Sequence, residues 1–315
     1  MEYGELLNKL EKPKGMVPIV MDTDTYNEID DQFALAFALA MEDKFDLQAI
    51  YAAPFQNHHA DTPALGMQRS YEEILHVLDM LDRRQYEKRT FRGSDRFLQD
   101  EHTPVESDAV RDLICRAMQR PCDKPLYVVA IAALTNIASA ILLKPEIIEH
   151  IVVVWHGGVA LDWPDCRSFN AGQDIAATRV VMGSGVPMVL QPGRGVIDKL
   201  LTTGPELSHW LGGRNAFCDY MIAKTEREAR YFTQRKVWSR PLFDVAALAW
   251  LLDGDGYMRD RIEHMPLISY DFSYNVDHRR HLMRYVYDVD RDAVLNILFE
   301  RLASFPKKNE DKPRA

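Results

Sequence analysis

Short apolar runs alternate with longer segments of helical period along this chain. Val17-Pro-Ile-Val-Met21 is a continuous apolar run that ends in acids, which predicts a strand buried on both faces. Asp30 to Met41 follows with Phe33, Leu35, Ala36, Phe37 and Leu39, a helix apolar on most sides and therefore interior. Phe45 to Ala53 predicts the next strand, and Asp61 to Leu81 a helix with Leu65, Tyr71, Ile74, Leu75, Leu78 and Leu81 near 3.6 spacing. Val105 to Met118 reads as a helix, Leu126 to Ala132 as a strand and Leu134 to Leu143 as a helix. Ile151 to Trp155 is a strand closed by Gly157-Gly158, Asp174 to Met182 a helix and Pro187 to Leu190 a strand. Residues 205 to 252 are mostly helical in pattern, Arg280 to Val286 adds strand character, and Asp290 to Ala303 is a helix. Strands that alternate with helices of this length pair in parallel through right-handed crossovers. The expected fold is therefore α/β, with a mainly parallel central sheet covered by helices on both faces.

Composition narrows the picture. A chain of 315 residues, of which 47% are hydrophobic and 27% charged, can bury a sizeable core. No internal repeat or Ser/Gly linker divides it, so one domain over residues 1–306 is expected, with the charged stretch 307–315 as a frayed tail. The net charge of -9 disfavours nucleic acid or an anionic membrane as a partner, because both require a basic face. No apolar run approaches the roughly 20 residues of a membrane-spanning helix, and Met1 to Pro18 has no apolar signal core. Cys115, Cys122, Cys166 and Cys218 form no CxxC pair, so free thiols in a cytoplasmic protein are expected.

The chemistry concentrates after the first strand. Asp22, Asp24, Glu28, Asp30 and Asp31 place five carboxylates within ten residues. In open α/β sheets, ligands bind beyond the carboxyl ends of the strands. Carboxylates so close repel one another, and a bound cation is the simplest compensation. An all-oxygen donor set favours Ca²⁺ or Mg²⁺ over zinc. Helix capping by Asp30 and Asp31 is the simpler structural alternative.

Two resemblances follow from this segment. Strand-Asp22-Thr-Asp24-Thr resembles the DxDxT signature of the haloacid-dehalogenase phosphatases, which implies Asp22 as nucleophile, Asp24 as acid/base and Mg²⁺ as cofactor. Asp253-Gly-Asp255-Gly echoes the later acidic motif of those enzymes, but Asp30-Asp31 has no place in that scheme. The whole stretch also resembles the DxDxxxDD opening of the inosine-uridine preferring nucleoside hydrolases, with two extra residues between Asp24 and Asp30. Further segments resemble that family in its own order: Ala133-Leu-Thr-Asn-Ile-Ala138, the strand and turn Ile151 to Gly158, Ser168-Phe-Asn170 with Asp174 following, and Arg240-Pro-Leu-Phe-Asp244.

The hydrolase resemblance implies a Rossmann-type fold and hydrolysis of the N-glycosidic bond of ribonucleosides to ribose and free base, by a calcium-bound water that Asp24 deprotonates. The implied calcium ligands are Asp24, Asp31, Asp244 and the main-chain carbonyl of Ile131. Asp30 and Asn170 would grip the ribose, Gln56 or Asn57 would supply a further sugar-contacting amide, and Asp22 would support the ligands. The expected partner is a small nucleoside, and the expected assembly is a homodimer or homotetramer. Two departures stand out: Phe243 replaces the family's usual histidine before the late aspartate, and Ser168 replaces a glutamate. His58, His59, Tyr231, Arg235 and Trp238 are candidate substitutes for the missing leaving-group acid, while Tyr231, Trp238 and His156 also fit plain packing roles. The same departures motivate a third reading, a non-catalytic nucleoside- or ribose-binding homologue.

Overall fold

The computed structural model describes residues 1–252, 254 and 256–306; Asp253, Asp255 and the tail 307–315 lie outside the described residues. Eight strands form the central sheet: β1 (Val17–Thr23), β2 (Phe45–Ala52), β3 (Thr90–Arg92), β4 (Leu126–Ala130), β5 (Ile151–His156), β6 (Met188–Gln191), β7 (Met258–His264) and β8 (Leu282–Val289). Their spatial order is β3-β2-β1-β4-β5-β6-β8-β7. Every neighbouring pair is parallel except β8 with β7, which closes the sheet as an antiparallel edge. The order reverses between β1 and β4, and that reversal opens a crevice at the strands' carboxyl ends.

Helices cover both faces. Alternate residues of β1 feed two cores: Val17, Ile19 and Met21 join one, Val20 the other. The first core packs α2 (Asp30–Ala40), α3 (Pro63–Met80), α8 (Gly204–Leu211), α9 (Ala216–Phe232), α10 (Val245–Ala249) and α11 (Arg291–Ala303). The second packs α4 (Asp108–Met118), α5 (Thr135–Leu143) and α7 (Ile175–Gly183). Two further helices, α1 (Tyr3–Lys9) and α6 (Phe169–Gln173), complete the set. Helix α2 is interior, as its pattern predicts: Phe33 to Leu39 are all buried. Helix starts follow local chemistry. Thr62 accepts from the Leu65 amide ahead of Pro63, Ser107 from Val110, Asp174 from Ala177 and Asn215 from Cys218.

The predicted strands and helices of the first 190 residues agree with these elements to within about three residues. Three elements carry too little apolar periodicity to announce themselves. They are α1, the three-residue edge strand β3, and β7, whose Arg259, Asp260, Arg261 and Glu263 suit a solvent-facing edge. The mostly helical stretch 205–252 is interrupted: residues 233–244 leave the helix, and Arg240–Pro241 pairs with Leu201–Thr202. That interruption swings Asp244 over the crevice. Among the described residues, no helix is long and apolar enough to cross a membrane.

Candidate active site

The crevice between β1 and β4 is a cleft lined by Asp24, Asn27, Glu28, Asp30, Ile131, His156, Ser168, Phe169, Asn170, Gly193, Arg194, Phe243 and Asp244. The lining arrives from the carboxyl ends of β1, β4, β5 and β6 and from the residues just before α10. Asp31 stands with Asp30 and Asp244: their carboxylate oxygens lie within 4.8 Å of one another. Residues more than 200 positions apart in sequence therefore share one acidic pocket floor.

These acids are buried and poorly partnered. Asp24, Asp30, Asp31 and Asp244 are each at most 4% exposed. Both carboxylate oxygens of Asp24 lack any hydrogen-bond donor. Burial raises the Asp24 carboxyl well above its ordinary range, and the charges of Asp31 and Asp30 raise it further. Asp244 moves the same way, through burial and then through Asp30 and Asp31. Burial lifts Asp31 to about 7 against the opposing bond from the Thr23 hydroxyl, which donates at 2.5 Å. A buried carboxylate without donors is costly. A cation seated among Asp24, Asp31 and Asp244 would remove that cost. The donor atoms are all oxygens, the Ile131 carbonyl included, so the residues present fit a hard divalent ion.

Behind the floor sits a scaffold of neutral donors. The Asn136 amide donates to Asp22 at 2.7 Å, while its oxygen accepts from the Ser94 amide and hydroxyl. Gly93 makes this possible, because a Cβ there would lie 2.2 Å from the Ala52 carbonyl oxygen and 2.5 Å from the Asn136 amide nitrogen. Asp22 is fully buried, is pushed up to about 7 by burial against that amide's hydrogen bond, and does not line the cleft. A supporting role suits it, and an attacking nucleophile does not. Asn170 donates to the carbonyls of Ile131 at 3.2 Å and His156 at 3.0 Å, bridging the ends of β4 and β5. Ser168 accepts from the Gly158 amide at 2.8 Å, across a turn in which Gly158 adopts φ +72°.

Other candidate residues fall elsewhere. Gln56 is exposed, turns its amide to the Asp61 carbonyl and does not line the cleft. Asn57 stands one step back and donates to the lining residue Asn27 at 2.7 Å. Phe243 does line the cleft and stacks on His156, with centroids 5.2 Å apart. Burial depresses the His156 imidazole to about 4, so it is neutral at physiological pH. None of His58, His59, Tyr231, Arg235 or Trp238 is among the lining residues. The ion pair between Glu28 and Arg240, 2.5 Å long, and the exposed Arg194 are site features that sequence spacing alone does not single out. Asn136 could have been found, because it lies within the Thr-Asn-Ile-Ala segment that carries the resemblance.

The profile of the inosine-uridine preferring nucleoside hydrolases matches residues 19–296. The chain belongs to that family. The pyrimidine-specific ribonucleoside hydrolase RihA of Enterobacter sp. (strain 638) is 25% identical over 59% of this chain and 63% of its own length. The RihA of Salmonella arizonae aligns at 23% identity over 91% of this chain and 98% of that protein. Among solved structures, the purine-preferring ribonucleoside hydrolase from Gardnerella vaginalis superposes with a TM-score of 0.72 at 19% identity, covering 91% of this chain and 98% of that one. The fold is thus that of the nucleoside hydrolases.

Proposed function

We propose that this protein hydrolyses the N-glycosidic bond of ribonucleosides, releasing ribose and the free base, with Ca²⁺ held by Asp24, Asp31, Asp244 and the Ile131 carbonyl. The observation that carries this reading is the pair of buried, donor-free oxygens on Asp24 beside the Asp30–Asp31–Asp244 cluster. When bound, the ion supplies Lewis acidity toward the attacking water and an anchor for the sugar diol. The remaining work falls to the chain. Asp24 takes the proton from the attacking water. Asp30 accepts from a ribose hydroxyl, and Asn170 fixes the sugar at the junction of β4 and β5. The carboxylates stabilise the positive charge that develops on the ribosyl ring as the bond breaks. Phe243, packed on neutral His156, gives an apolar wall where the family's usual acid stands, so departure of the base depends on how stable it is as a leaving group.

Release of reducing sugar from inosine, uridine and a p-nitrophenyl riboside in the presence of calcium tests the reading. Turnover fastest on the p-nitrophenyl riboside is expected; no turnover on any of the three would overturn it. Phe243 also favours a second reading, a ribose-binding homologue without catalysis. Calorimetry separates the two, since tight ribonucleoside binding with no sugar release belongs only to the binder. The same proposal holds that the protein works in the cytoplasm as a homodimer or homotetramer, which sedimentation would show as twice or four times the 36.2 kDa chain mass.

A further inference from the structure

We propose that His58, His59 and Glu228 form a second cation site, outside the acidic cleft, for a first-row transition dication of the zinc class. One ligand atom from each of the three lies within 4.8 Å of the others, and His59 Nε2 stands 3.7 Å from Glu228 Oε2. Glu228 is 8% exposed, and its Oε1 is buried without a hydrogen-bond donor. A buried carboxylate oxygen in that state is missing a partner. The rings are also held in place. His58 stacks on Tyr231 with centroids 4.1 Å apart and planes 8° apart, and its centroid is 3.9 Å from that of His59.

Two imidazoles and one carboxylate make a borderline donor set that suits zinc and its neighbours, unlike the all-oxygen cleft. Three protein ligands also leave a fourth position for water. Burial, and then the charge of His58, lower the pKa of His59, the direction that favours the neutral ring a metal ligand needs. The nearby cations are engaged elsewhere: Lys224 bonds to Glu73, Arg69 lies over the Tyr26 ring and Arg240 pairs with Glu28. The ligands come from two elements, the turn closed by the Asn57–Ala60 bridge and helix α9. An ion here ties that turn to the helix. It also fixes Asn57, whose amide donates to Asn27 in the cleft wall.

The test is zinc titration by calorimetry and cobalt absorption spectroscopy on the full chain in calcium-saturated buffer. One equivalent of Zn²⁺ is expected, and Co²⁺ should give the strong visible bands of a four-coordinate nitrogen–oxygen site. His59→Ala and the isosteric Glu228→Gln should each weaken binding by at least about a hundredfold, whereas Asp31→Asn should leave it in place. Absence of saturable zinc binding would overturn the proposal. So would binding equally strong in both Glu228→Gln and His59→Ala, which would mark an adventitious surface ion.

Discussion

Two polar clusters built on buried carboxylates lie on the α2 side of the sheet, one around the single acid Glu73 and one of several aspartates, and they follow opposite plans. Glu73, from α3, accepts from Gln32 at 3.0 Å, Tyr220 at 2.6 Å and Lys224 at 3.0 Å. Burial alone would raise its pKa, but Lys224 and these hydrogen bonds more than compensate, and the group is held below its ordinary value. In the cleft, burial acts the same way but nothing opposes it adequately: Asp24 has no donor at all, and its closest ionisable neighbours are other acids. The first cluster is complete as folded. In the second, Arg240 and Lys224 lower Asp30 and Asp31 only partly, and on the proposed reading a bound cation supplies the rest. Buried acids therefore mark a site when they are left unpaired, not when they are merely numerous.

The two clusters should differ most in catalysis. Asp24→Asn should lower kcat/KM on a ribonucleoside by about 10⁴-fold, the upper end for losing a general base, while the ion-free protein melts no lower than the parent because a repulsive charge has gone. Steady-state kinetics and thermal melts in chelator check both halves. The paired cluster should respond in the reverse sense. Lys224→Ala leaves Glu73 buried without its counter-charge, held only by the neutral donors Gln32 and Tyr220, and urea unfolding should show a loss of about 3 kcal/mol.

The pH dependence of stability sharpens the contrast. The clustered acids Asp24, Asp31 and Asp244, and Asp22 behind them, have folded pKa values raised above their unfolded ones, with Asp22 and Asp31 at about 7. Their contribution to stability is therefore full below about pH 4 and is lost as pH rises through about 7. In chelator, Tm should fall between pH 5 and pH 8, and calcium should remove that fall. The opposite slope would place the acids in a paired environment. The smallest effect belongs to Gln56→Ala, which should change KM less than twofold, because that amide faces the Asp61 carbonyl and not the cleft.

Much of the fold was legible because parallel strands buried on both faces read as unbroken apolar runs, as in Ile151 to Trp155. The edge strands β3 and β7 were not, since an edge needs no apolar alternation and is better protected by charge. The density of aspartates after β1 marks the Asp30–Asp31 part of the acidic cluster in the sequence, whereas Asp244 is reached only through the family resemblance. What sequence could not supply was orientation. Gln56 and Asn57 follow the strand where a sugar contact was expected, yet the turn at 57–60 sends one amide outward and uses the other to brace Asn27. The buttress from Asn136 to Asp22 likewise joins residues 114 positions apart, a pairing set by the adjacency of β1 and β4 and not by any local pattern.

On the proposed reading, Asp24, Asp31 and Asp244 together hold one hard cation. A crystal structure of the protein grown with calcium tests it most directly. A single ion bonded to oxygens of all three aspartates and to the Ile131 carbonyl at about 2.4 Å is expected. A cleft that stays without an ion at saturating calcium, its aspartates bridged only to one another, would contradict it.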